Sequence, residues 1–148
     1  MMECKMKTVL FLCTGNYYRS RFAEELFNNR AARAEVRWVA RSRALAIERG
    51  AHNIGPLSPF TLKGLEERGV AATGSDRPPR QCALIDLQTA DHVVALDETE
   101  HRPLLLERFP YWENRAEYWQ VRDVEFVSPA IALGEIEQRV TVLLSRLP

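Results

Sequence analysis

Apolar positions along the chain fall into two alternating patterns. Short runs rich in β-branched and aromatic residues have the length of buried strands: Thr8 to Leu12, Val36 to Val39, Asp91 to Leu96 and Glu117 to Val121. Between them apolar residues recur at helical spacing. Phe22, Leu26 and Phe27 share one side of Ser20 to Arg33; Leu62 and Leu65 follow Ser58-Pro59; Ile136, Val140, Leu143, Leu144 and Leu147 follow Ser128-Pro129. Ser58 reads as an N-cap with Pro59 at the first helical position, and Ser128-Pro129 opens the last helix. Gly69 is the stop after Arg68, and Gly134 weakens the first turns of the last helix.

Two shorter helices are expected at Gln81 to Thr89 and Thr99 to Arg108, the latter with Pro103 in its first turn. The stretch Gly74 to Arg80 is a loop rather than a linker, because nothing on either side could fold alone. Strands alternating with helices predict an α/β fold: residues 1–148 as a single doubly wound domain with a parallel sheet and helices on both faces.

Composition narrows the function classes. A length of 148 residues suits one ordinary core, and 20 basic against 20 acidic residues give no net charge, so neither a nucleic-acid nor a membrane partner is implied. The opening MMECKMKTVLFLC resembles a signal peptide, but its apolar block is short and no small-residue cleavage site follows, so it reads as the first strand. Cys4, Cys13 and Cys82 form no metal-binding spacing, and His52, His92 and His101 form none either. A reducing, cytoplasmic location and no metal or cofactor are the expectation. Cys82 reads as a small buried hydrophobe.

The chemistry concentrates between the first strand and the first helix, in the loop Cys13-Thr14-Gly15-Asn16-Tyr17-Tyr18-Arg19-Ser20. A helix N-terminus carries about half a positive charge and unpaired N–H groups, and a loop with inward-turned amides adds to it. Gly15 and Asn16 are residue types that tolerate positive φ. Arg19 supplies a planar fork that matches two oxygens of a phosphate. The field that binds an anion also favours the thiolate, the form in which a cysteine attacks. Ser20 could cap the helix or donate to that sulfur. The spacing C-x5-R-S in this setting points to a cradle for a tetrahedral oxyanion with a nucleophile at its centre.

These residues resemble the low-molecular-weight protein tyrosine phosphatases, whose signature is C-x-G-N-x-C-R-S-P followed by a helix containing Ala-Glu, here Ala23-Glu24. The likeness runs along most of the chain and is close in this loop. It implies strand order 2-1-3-4, which puts the topological switch point, and so the Cys13 loop, between strands one and three. It also implies a metal-independent phosphomonoesterase acting on a phosphorylated protein or small phosphate ester and releasing phosphate. Cys13 would form a phosphocysteine, Thr14 to Arg19 would hold the phosphoryl group, and Ser20 would steady the leaving thiolate. A serine after strand two supports the loop in the family; Ser42 is the candidate, an ordinary turn serine the alternative. Tyr18 stands where the family has a second cysteine, which removes a protective disulfide. Arg21 stands where it has a proline and would add charge at the rim.

A proton donor must serve the leaving oxygen, and Asp97 and Asp123 both follow strand ends on the correct edge. Residue pattern alone does not separate them. The resemblance favours Asp123, because the family acid lies in an Asp-Pro loop after a strand with a tryptophan, although Val124 replaces the proline. Trp119 and Phe126 could stack on a phenyl ring, or pack as core and under the loop. Tyr17 occupies the position at which the family varies between substrate classes, leaving phosphotyrosine and phosphoarginine both open, and the Tyr17-Tyr18 pair could narrow the entrance. Two other functions fit less well. A thioredoxin-linked arsenate reductase needs two cysteines seven positions apart, and Thr89 stands where the partner of Cys82 would be. A non-catalytic phosphate-binding module would account for the changes at Tyr18, Arg21 and Val124.

Overall fold

The computed structural model describes residues 6–148; Cys4 lies outside them. β1 (Lys7–Cys13), β2 (Trp38–Ala44), β3 (His92–Ala95) and β4 (Glu117–Tyr118) form one parallel sheet in the order β2-β1-β3-β4. Connecting them are α1 (Arg19–Arg33), α2 (Pro59–Glu67), α3 (Leu84–Thr89), α4 (Glu98–Arg108) and the C-terminal α5 (Pro129–Arg146), with short 3-10 turns at Ile47–Gly50 and Pro110–Trp112.

β1 has no polar face because both of its faces are covered. Val9, Phe11 and Cys13 join the core under α1, α2 and α5, while Leu10 and Leu12 join the one under α3 and α4. Helices therefore lie on both sides, as the pattern predicted. Ser58 caps α2 by accepting from the Phe60 N–H at 3.1 Å, and Gly69 takes φ +68° just past its end.

Several boundaries differ from the sequence reading. β2 begins at Trp38 and runs through Ser42 to Ala44, because Trp38, Ala40, Ser42 and Ala44 alternate inward while Arg41 and Arg43 point away. Pro103 sits inside α4 rather than in its first turn, so one intrahelical bond is missing there. Leu62 is exposed on α2; Thr61, Gly64 and Leu65 form its buried face. β4 is two residues long, and its continuation is held singly by Trp119 N–H to Ala95 O and Val121 N–H to Leu96 O.

Glu117 fastens the far end of the sheet. Its carboxylate meets His92 Nε2 at 2.9 Å, accepts from Trp119 Nε1 at 2.7 Å, and pairs with Arg146 at 3.0 Å. The bond to His92, helped by Trp119 and Arg146 and opposed by partial burial, holds its pKa down to about 2. A depressed carboxylate stabilises the fold above its unfolded pKa, near 4.3, and that contribution fades as pH falls toward the folded value. Glu117→Gln is expected to cost about 1–3 kcal/mol at neutral pH. The gap from the native protein should narrow between about pH 4 and 2 in denaturant titrations.

Candidate active site

The loop leaves β1 at Cys13 and enters α1 with Tyr18 as its N-cap, so the helix opens at Arg19, one residue before the expected start. Ser20 makes no cap bond. Its Oγ lies 2.9 Å from Cys13 Sγ and accepts from Asn16 Nδ2 at 2.9 Å, which leaves the hydroxyl proton free for the sulfur. The N–H groups of Gly15, Asn16, Tyr17 and Tyr18 donate to nothing among the described residues, an arrangement that needs an outside acceptor.

Asn16 holds the loop from behind. It takes φ +51° and is fully buried. Its Oδ1 accepts from Arg80 N at 3.1 Å and Arg77 Nη1 at 3.2 Å, and its Nδ2 donates to Ser20 and Ser42, both at 2.9 Å. Ser42 is thus a strut of the loop, placed within β2 rather than after it, and donates onward to Glu24 at 2.6 Å. Gly15 does not use positive φ.

Arg19 is 2% exposed. Its Nη1 donates to Val121 O at 2.9 Å; its Nη2 donates to Glu100 Oε2 at 2.8 Å and lies 3.5 Å from Asp123 Oδ2. Burial opposes its charge, but the negative groups at Cys13, Glu100 and Asp123 outweigh that and raise its pKa above the ordinary value. Glu100 has no place in the sequence reading, and His101 enters it only as a histidine without metal-binding spacing. His101 is fully buried, and burial pushes its pKa down. Its Nδ1 accepts from Asp97 N at 2.9 Å, so Nε2 carries the proton and faces Glu100 Oε2 at 3.0 Å and Thr14 Oγ1 at 3.1 Å.

The two aspartates are placed differently. Asp97 is fully buried with Oδ2 2.8 Å from Arg122 Nε, close but poorly aligned for a hydrogen bond. Asp123 keeps a part-exposed side chain in a cleft of about 750 Å³ that also contains Cys13, Thr14 and Arg19. Its Oδ1 accepts from Val124 N at 2.8 Å, a bond that a proline at 124 could not supply.

Tyr17, Phe60 and Phe126 line this cleft. The Tyr17 hydroxyl donates to Ile54 O at 2.6 Å. Phe126 is 62% exposed, with the Arg122 guanidinium 4.3 Å over its ring. Trp119 is a core residue against Phe11 and takes no part in the cleft. Tyr18 also lines the cleft: its ring is buried edge-on to Phe60, its hydroxyl has no partner, and burial together with the Asp123 charge pushes its pKa up to about 12.

Residues 8–124 match the family described as low molecular weight phosphotyrosine protein phosphatase. The chain belongs to that family. No curated protein matches it. Among solved structures it is similar to the low molecular weight protein tyrosine phosphatase from T. tengcongensis, at 24% identity and TM-score 0.80, covering 95% of this chain and 99% of that one. Vibrio vulnificus Wzb in complex with benzylphosphonate gives 15% identity and TM-score 0.80, covering 96% and 99%. The YwlE arginine phosphatase from Geobacillus stearothermophilus gives 21% and 0.74, covering 95% and 92%.

Set against the family signature, Arg21 is the largest correction. It is 2% exposed rather than a rim charge, because its guanidinium reaches inward and donates to four carbonyls: Asn16 at 3.2 Å, Pro56 at 3.0 Å, Gly74 at 2.9 Å and Arg77 at 2.7 Å. Burial, with Arg77 as a like charge, lowers its pKa to about 10, which still leaves it charged at neutral pH. Cys82 is buried and its thiol is pushed up to about 12 by that burial, away from any redox relay. Arg21→Ala would remove this donor from the Asn16, Pro56 and Arg77 carbonyls, while Gly74 O keeps the Arg77 N–H at 3.0 Å, and is expected to cost about 3 kcal/mol or more, read as a lower denaturation midpoint.

Proposed function

We propose that this phosphatase hydrolyses phosphate monoesters through a phosphocysteine on Cys13, with phosphotyrosine in proteins as the leading substrate class. The observation that carries the reading is the sulfur of Cys13 lying 2.9 Å from a serine hydroxyl, at the mouth of a loop whose amides are unpartnered.

In the first step the Cys13 thiolate attacks phosphorus, an S–P bond forms, and the P–O bond to the leaving group breaks. Protonated Asp123 gives its proton to the departing oxygen. In the second step water attacks phosphorus, Asp123 takes a proton from it, and the S–P bond breaks to release phosphate and the thiolate. Ser20 steadies that sulfur. The amides of Thr14 to Tyr18 and the fork of Arg19 carry the charge that builds on the equatorial oxygens. The exposure of Asp123 to the cleft, against the burial of Asp97, supports Asp123 as the acid.

Tyr17, Phe60 and Phe126 support an aromatic leaving group, since an apolar ring can lie against them. The benzylphosphonate complex of Wzb is a phenyl-bearing phosphonate on a related fold. The arginine phosphatase among the similar structures keeps phosphoarginine open as an alternative substrate. The free thiols of Cys13 and Cys82 are consistent with a reducing, cytoplasmic setting, and no helix among the described residues is long and apolar enough to cross a membrane. Residues 1–148 would act as one catalytic domain.

Hydrolysis of p-nitrophenyl phosphate at about pH 5–8 without added metal tests this, with Cys13→Ser expected to abolish turnover. Asp123→Asn should lower kcat by about 10²–10⁴-fold. Asp97→Asn should act mainly on thermal stability, and the reverse ranking of the two would overturn the acid assignment.

A further inference from the structure

Glu100 is a carboxylate that touches both Arg19 and the loop, from the first turn of α4. One of its oxygens, Oε2, accepts from Arg19 Nη2 at 2.8 Å and from the Thr14 hydroxyl, and lies 3.0 Å from His101 Nε2. Burial disfavours its charge, but the close approach of His101 and the charge of Arg19 hold its pKa far below the usual carboxylate range. The group is therefore an anion with little freedom to swing. His101 is itself fixed from behind by the Asp97 N–H.

The consequence for Arg19 is geometric. With Nη1 on Val121 O and Nη2 on Glu100, two corners of the guanidinium are fixed, and so is its plane. A fork-shaped donor recognises two phosphoryl oxygens when that plane is correctly set. The consequence for the ligand is electrostatic. A phosphate entering the loop meets Glu100 as well as Asp123, both against the same nitrogen of Arg19. Alignment is improved while ground-state attraction is reduced, a combination that favours turnover over tight binding.

We infer that Glu100 is the positioning residue for Arg19, and that it lowers the affinity of the loop for free phosphate while it holds the guanidinium in register. The inference rests on the phosphatase reading above. Two substitutions separate its two parts. Glu100→Gln keeps an oxygen acceptor and removes the charge; Glu100→Asp keeps the charge and loses the reach.

The test is titration of the whole protein with inorganic phosphate by calorimetry, alongside kcat and KM for p-nitrophenyl phosphate and the melting temperature. Glu100→Gln should bind phosphate about tenfold more tightly than the native protein, with KM falling in step. Glu100→Asp should gain no affinity and should lose about tenfold or more in kcat at a near-native melting temperature. A residue that merely props the cleft would weaken phosphate binding in both variants as the melting temperature drops, and that result would overturn the inference. Tighter binding by Glu100→Gln supports it even if the native protein hydrolyses nothing, an outcome that would sink the phosphatase reading alone.

Discussion

An anion loop cannot hold its own shape. Its amides must point at the ligand, so they are lost to internal hydrogen bonding, and the segment has to be fixed through its side chains and carbonyls instead. Asn16 meets that requirement. From one buried side chain in a left-handed backbone it joins Ser20 on α1, Ser42 on β2, and Arg77 and Arg80 on the loop before α3. Those elements meet because the sheet order puts β1 between β2 and β3, with the loop at the carboxyl end. Topology supplies the place, and Asn16 supplies the tension that keeps the amides facing outward.

The second constraint is charge. Arg19 is buried, and a buried guanidinium survives only with partners. It has Glu100 and Asp123 as anions and the Val121 carbonyl as a third acceptor. These partners offset the charge of Arg19 before a ligand arrives, so the loop relies on aligned dipoles more than on net positive charge to hold a phosphoryl group. Removing the loop from water strengthens those dipoles without adding a charge that would retain the product.

The sheet order and the Cys13 loop were legible because their signals are local or tied to the family resemblance: an apolar run, a fixed spacing and a helix start within about twenty residues. What was missed comes from far along the chain. Glu100 and His101 lie more than eighty residues beyond Thr14, and nothing in a charged Glu-His pair on a helix marks it as facing inward. One available signal was their position just past β3, beside the switch point. The extension of β2 through Ser42 was readable in the alternation of Trp38, Ala40, Ser42 and Ala44, but the arginines between them resemble a turn. Asp97 and Asp123 occupy equivalent positions in the pattern, and it is the partner, Arg122 for one and the open cleft for the other, that distinguishes them.

Arg21 illustrates why a departure from a family pattern need not be a loss. An arginine at a helix start is usually a surface charge, and expectation followed that prior. Here the segments at Pro56 and at Gly74 to Arg77 run past the back of the loop and present carbonyls that no helix or strand satisfies. One guanidinium has enough donors in a fixed plane to serve four of them. A proline at this position could not, so these two segments and Arg21 have to be understood together. The same reasoning applies to Val124, whose N–H gives Asp123 Oδ1 a bond that a proline could not supply. Both substitutions add a hydrogen bond at the loop or its acid, and both act by restraining geometry rather than by altering the reacting groups themselves.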